Sequence, residues 1–193
     1  MIELARPVKC PVCSQFGQKE DMKFEDKRYY HKEFCHEKYL KLKAETAKEN
    51  QEWDKLYQYI IGLHDIILLP KGNITRLKDL RAGYENKGGK RERKWRTGPD
   101  FSLMLEAYKL AESVNRTAIN TKIGQWADIQ QVNYTISTML GYLNDAFKYR
   151  QNKAKQVSQE KRVQALESKK DQNLKNNYKL VKKSDELDIS EFL

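Results

Sequence analysis

Cys10–Leu40 reads CPVCSQFGQKEDMKFEDKRYYHKEFCHEKYL. It holds every cysteine of the 193-residue chain, Cys10, Cys13 and Cys35, and two of its three histidines, His31 and His36. Cys10-Pro-Val-Cys13 is a short knuckle whose two thiolates can converge on one ion. His31 follows after seventeen residues and Cys35 three residues further on, giving C-x2-C-x17-H-x3-C. On a helix that last spacing sets His31 and Cys35 one turn apart on the same face. Three sulfurs and one nitrogen suit tetrahedral zinc with no open position, which is structural rather than catalytic. His36 is expected at the surface beside Cys35, which is preferred as the fourth ligand. Between the ligand pairs, Gly17 suits a knuckle turn, and Phe24, Tyr29 and Tyr30 read as strand residues about a turn at Glu25-Asp26. Some thirty residues with so few large apolar side chains cannot fold by burial alone. Zinc, contributing roughly 10–16 kcal/mol in finger peptides, is enough to order them.

The arrangement resembles treble-clef and half-LIM zinc fingers, and small fingers of phage proteins of Gram-positive bacteria. The likeness is carried by the knuckle and by Arg28–Cys35, RYYHKEFC, which is similar to their YxHxxC element. It departs from the LIM pattern by one extra residue between His31 and Cys35, and no second finger follows. The resemblance covers about residues 9–40 and implies a knuckle and hairpin leading into a helix.

Outward from this head the pattern turns helical. Trp53, Leu56, Tyr57, Ile60, Ile61 and His64 recur at helical spacing, so one face is apolar. Residues 41–52 are so charged that a break near 48–51 is an alternative to one long helix. His64 reads as a core-edge histidine with a hydrogen bond. Asn73 is a plausible cap for a short helix ending at Gly83, and Asp100 for a helix with Met104, Leu105, Tyr108, Leu110 and Ala111 on its buried side. Trp126, Ile129, Asn133, Ile136, Leu140, Leu143 and Phe147 then alternate at spacings of three and four, predicting a helix over 125–150 with Val132, Met139 and Ala146 widening the seam. That seam fits the central helix of a small bundle, with a homo-oligomeric coiled coil as the alternative. The fold class expected is therefore mainly α. A zinc finger of short β-hairpin plus helix spans residues 1–45, a helical bundle 46–150, and a partly disordered basic tail 151–193, with 169–183 disordered or conditionally helical.

Net charge is +10, from 37 basic against 27 acidic side chains. A surplus of that size favours an anionic partner, nucleic acid above all. It is concentrated in a basic loop at 84–98, where Lys87, Lys90, Arg91, Arg93, Lys94 and Arg96 can lie along phosphates while Trp95 stacks on a base. DNA and RNA are not distinguished. The chain ends in SDELDISEFL, whose Leu187, Ile189, Phe192 and Leu193 among acids have the form of a peptide docking into a groove of a host protein complex.

No catalytic set is legible. There is no Ser/His/Asp arrangement, no G-x4-G-K-[ST] loop and no open metal constellation, so no enzyme is expected. The segment around His64-Asp65 resembles an HNH nuclease in outline but lacks any histidine downstream. Met1–Pro7 has no apolar core and no run is long enough to span a bilayer, so a cytoplasmic protein with reduced cysteines and no membrane partner is expected. Two functions remain open: a non-enzymatic zinc-bearing accessory protein that binds nucleic acid in phage replication or transcription, or an adaptor or inhibitor gripping a host machine.

Overall fold

The computed structural model describes residues 6–87, 90–122 and 125–184, and at 87, at 168 and beyond 169 it describes the backbone alone. Leu187, Ile189, Phe192 and Leu193 lie outside the described residues. The chain divides into two units, Met1–Gly141 and Tyr142–Leu193.

The first unit opens with two small antiparallel ribbons. Strands β1 (Val8–Lys9) and β2 (Phe16–Gly17) flank the knuckle, and β3 (Met22–Glu25) pairs with β4 (Arg28–His31). The β3–β4 turn is Asp26-Lys27, one residue later than the sequence suggests. Both residues have positive φ, 47° and 61°. A two-residue loop of that conformation matches the twist of the flanking strands, and Asp tolerates it better than Glu.

Helix α1 (Cys35–His64) is one unbroken helix of 30 residues. Its charged middle section is solvated and carries pairs such as Lys48–Glu52 at 3.9 Å. Another tie is tertiary, Arg81 Nε to Glu49 Oε1 at 2.7 Å. After it, α2 (Lys71–Arg81) starts behind Pro70, which fixes the entry φ. Asn73 is therefore not a cap. It is fully buried and donates from Nδ2 to Asn133 Oδ1 at 3.0 Å. Arg76 donates to the same Oδ1 at 3.0 Å and to Ser137 Oγ at 3.0 Å, so the core-position asparagine of the long seam ties α2 to it by a polar network. Gly83 (φ 90°) stops the helix as expected.

Residues 84–98 are a loop only in their last part, 94–98. β5 (Tyr84–Lys87) and β6 (Lys90–Arg93) form an antiparallel hairpin in register Lys87↔Lys90, with Gly88-Gly89 between, a dipeptide suited to two-residue hairpin connections. Asp100 does cap α3 (Phe101–Leu110), its side chain accepting from the Leu103 amide. The helix breaks at Ala111, and α4 (Glu112–Thr121) follows. Leu110 is left exposed while Met104, Tyr108 and Ala111 are buried.

The core lies where α1 packs on α3, through Leu56, Ile60, Met104, Ala107 and Tyr108, with Trp53 tilted on Phe101 at 5.0 Å between ring centroids. Helix α5 (Asp128–Ser184) closes it with Val132, Thr135, Ile136 and Met139. The buried strip combines Ile136 of the expected seam with Val132 and Met139 of the row expected to widen it, whereas Ile129 and Phe147 are exposed. α5 continues as helix through 169–183, where disorder was one expectation. No described helix is long and apolar enough to cross a membrane.

His64 sits at the core edge as expected, 8% exposed, with Nε2 3.0 Å from Thr135 Oγ1. Burial holds its pKa below the ordinary histidine value. The unfolded chain then takes up a proton first as pH falls, so stability declines from about pH 6.5 down to the lowered folded value. Urea titrations at pH 7.5 and 5.5 are expected to show a smaller loss for His64→Gln than for the parent. An equal loss in both would place the acid sensitivity elsewhere.

Candidate metal centre

The four residues expected to share an ion are brought together. The ligand atoms of Cys10, Cys13, His31 and Cys35 all lie within 4.8 Å of one another. Among the described residues this is the one such group of metal-ligating side chains. Each arrives from a different local device. The knuckle is closed by Cys10 N–H to Gln15 O at 2.8 Å and Ser14 N–H to Cys10 O at 2.9 Å, with Ser14 in left-handed backbone (φ 61°). His31 ends β4, and Cys35 is the first residue of α1. The two are therefore not one helical turn apart, as the spacing suggests. The strand end and the helix start converge instead.

His31 Nδ1 faces Cys13 Sγ at 3.4 Å. A Cβ at Gly17 would stand 2.9 Å from His31 Nε2 and 3.1 Å from Met22 Sδ, so only glycine lets β2 pass behind the imidazole. Tetrahedral zinc, with Zn–S about 2.3 Å and Zn–N about 2.0 Å, sets its donors about 3.5–3.8 Å apart. The cluster therefore fits a metal ion with small closing movements, and a soft donor set of three sulfurs and one nitrogen is consistent with zinc.

The electrostatics point the same way. Burial raises the cost of ionising Cys10, but hydrogen bonds from the Cys13, His31 and Val12 backbone and from the Cys13 side chain outweigh it, bringing the thiol down to about 6. Burial pushes the Cys35 thiol up to about 11, aided by the neighbouring sulfurs of Cys13 and Cys10. Three sulfurs packed so closely resist joint ionisation until a cation neutralises them. The head offers little else for a core: its buried cluster is Cys10, Met22, Tyr30 and Cys35, half of it ligands.

Sequence reasoning missed the supports. His36 is buried, 6% exposed, rather than a surface residue, because its Nε2 meets Glu25 Oε2 at 2.6 Å. Asp26 accepts from Tyr39 Oη, and Lys43 Nζ reaches the same carboxylate at 2.7 Å. The Tyr39 ring stacks on Tyr30 at 4.2 Å. Together these bonds fasten the first two turns of α1 to the β3–β4 turn and fix where Cys35 points. His36, Tyr39 and Lys43 share one face of α1 but find Glu25 and Asp26 on another element, so no single window of sequence reveals the set.

The basic residues fall on the β5–β6 hairpin and just beyond it. Lys90, Arg91, Arg93 and Lys94 are all exposed, as is Arg96, and the Lys87 side chain is outside the described set. Three have partners within the protein. Arg91 pairs with Asp79 at 2.8 Å and lies over the Tyr84 ring at 3.9 Å, and Lys94 pairs with Glu85 at 2.6 Å. Arg93 donates to the carbonyl of Arg96 at 3.1 Å. Trp95 is half-buried with Lys94 Nζ 4.8 Å above its ring, so the indole is not an open stacking platform.

No curated protein and no solved structure matches the chain. A family model described as SPbeta prophage protein YorH matches residues 10–191, from the first cysteine of the cluster into the acidic terminus. With that match spanning nearly the whole sequence, the chain belongs to the SPbeta prophage protein YorH family.

Proposed function

We propose that this phage protein is a non-enzymatic accessory factor that binds nucleic acid, with a zinc ion building its head as a treble-clef finger. Knuckle, hairpin and helix follow in the treble-clef order, and the four donors leave a bound zinc no open position, which supports a structural role for it. The nucleic-acid reading is carried by one observation: strand β6 is exposed along its whole length and offers Lys90, Arg91 and Arg93, with Lys94 and Arg96 next to it. In Arg91–Asp79 and Lys94–Glu85 the carboxylates are half-buried while the cations stay about half exposed, and a guanidinium or ammonium paired on one side still offers donors to phosphate. The role of the hairpin is to lay a short cationic ribbon along a sugar–phosphate backbone.

A gel-shift titration with single- and double-stranded probes at several salt concentrations tests this. Changing those five side chains to Gln is expected to weaken binding at least about tenfold and to flatten its salt dependence. Equal retardation of the probe by parent and variant would remove the hairpin from the interface.

A second reading, an adaptor for a host protein, is favoured by the α1–α2 connection, where Ile67 and Leu68 are 90% and 72% exposed. Apolar side chains so placed are a typical anchor for a protein partner.

A further inference from the structure

The second unit carries more of the positive charge than the hairpin does. From Tyr142 to Ser184 the helix holds twelve basic and four acidic side chains, whereas the nine residues after it hold four acids and no base. Over 147–167 nearly every position is exposed. At about 100° per residue, Lys148, Lys155, Arg162 and Lys169 repeat every seven residues and fall on one strip. Asp145, Glu160 and Glu167 fall on another, about a third of a turn away. The four cations thus form a row about 32 Å long, close to one turn of B-form duplex. Lys161 lies about a third of a turn from the row on the side away from those acids, and Lys153 lies on the opposite face.

We infer that this helical arm is a nucleic-acid-binding element in its own right, gripping the phosphate backbone along the Lys148–Lys169 row. The inference rests on the nucleic-acid reading proposed above. Two other occupants fit less well. The exposed apolar residues Val157, Val163 and Leu166 are spread over about half the circumference, so the arm lacks the apolar face that a membrane surface or a protein groove needs. A second copy of the arm would oppose one cationic row to another. A polyanion needs only the charge, and Gln151 and Gln159 beside the row can add hydrogen bonds to phosphate.

The test uses the full chain with Lys148, Lys155, Lys161, Arg162 and Lys169 changed to Gln, which has nearly the same helix propensity. Fluorescence anisotropy with a labelled probe of about 30 nucleotides, as duplex DNA, single-stranded DNA and RNA, is read against salt. The parent is expected to bind at least one probe. The arm variant should lose about a hundredfold in affinity at moderate salt, with the slope of log K on log salt shallower by about three to five. Glu160→Gln with Glu167→Gln should act in the opposite direction and tighten binding, which a folding defect would not do. Parent-like binding by the arm variant while the hairpin variant fails would overturn the inference and leave the proposed function standing. Loss in the arm variant with an unaffected hairpin variant supports the arm and removes the hairpin instead. No binding of any probe by the parent overturns both, and displacement of DNA by polyglutamate at equal charge would overturn the commitment to nucleic acid.

Discussion

Replacing Cys35 by Ser is expected to dissolve the fixed structure of residues 8–34 while leaving the α1–α3 core folded. The ribbons β1–β2 and β3–β4 enclose only Met22 and Tyr30 besides the two cysteines of their buried cluster. Burial on that scale falls short of the ordering entropy of thirty residues, at about 1–2 kcal/mol each. Structural zinc contributes about 10–16 kcal/mol in comparable peptides, so the head stands or falls with it. Hydrogen exchange is the measurement: amides of β3 and β4 should lose protection in Cys35→Ser, and in parent protein stripped with chelator, while those of residues 53–64 keep theirs. His36→Gln breaks the bond to Glu25 and the edge contact with Tyr30, and should cost metal affinity about 10–100-fold. Equal damage from both substitutions would mean that the head is held by its hydrogen bonds and not by an ion.

A comparable effect is expected at the base of the hairpin. A Cβ on Gly98 would lie 1.7 Å from the Leu80 carbonyl oxygen and 2.8 Å from that of Arg81. Both obstacles are backbone at the end of α2, which cannot swing aside as a flexible side chain can. Gly98→Ala should therefore cost at least about 3 kcal/mol, lowering Tm by about 6–12 °C. The segment Trp95–Gly98 would lift off α2, and the cationic ribbon would lose its fixed position. Gly62 is the control, since nothing lies within 4 Å of a Cβ there. Gly62→Ala in the interior of α1 should stabilise by about 0.5–1 kcal/mol. Thermal unfolding of the two variants reads both signs, and an unchanged Tm in Gly98→Ala would contradict the close approach.

The elements that strong local signals mark were legible in the sequence. Four soft ligands in one patch, the apolar face from Trp53 to His64, the cap at Asp100 and the three-four alternation after Trp126 each follow from a single window. What escaped depends on neighbours distant in the chain. Strands β5 and β6, YENK and KRER, have no apolar alternation because β6 is exposed throughout and β5 is only half-buried at Tyr84 and Glu85, so their charge read as loop. Asn73 looks like a cap from its neighbours and becomes core only because Asn133, sixty residues away, offers it an acceptor. His36 looks superficial until Glu25 is seen to meet it across the turn. The buried side of α5 keeps Ile136 of the seam that spacing favours but adds Val132, Thr135 and Met139 beside it, because α1 meets the helix at Thr135 and α2 at Asn133.

In the site, the ligand identities were legible and their geometry was not. The spacing of His31 and Cys35 admits a helical turn, yet the chain uses a strand end and a helix start. The demand for glycine at position 17 arises only from the imidazole packed against it.

Zinc K-edge absorption spectroscopy on protein purified without chelator, with the metal content measured on the same sample, reads the ligand set of the head itself. One zinc per chain is expected, with three sulfurs at about 2.3 Å and one nitrogen at about 2.0 Å. Protein that folds to the same β3–β4 hairpin with no metal, or zinc held by two sulfurs and two lighter atoms, would contradict that expectation.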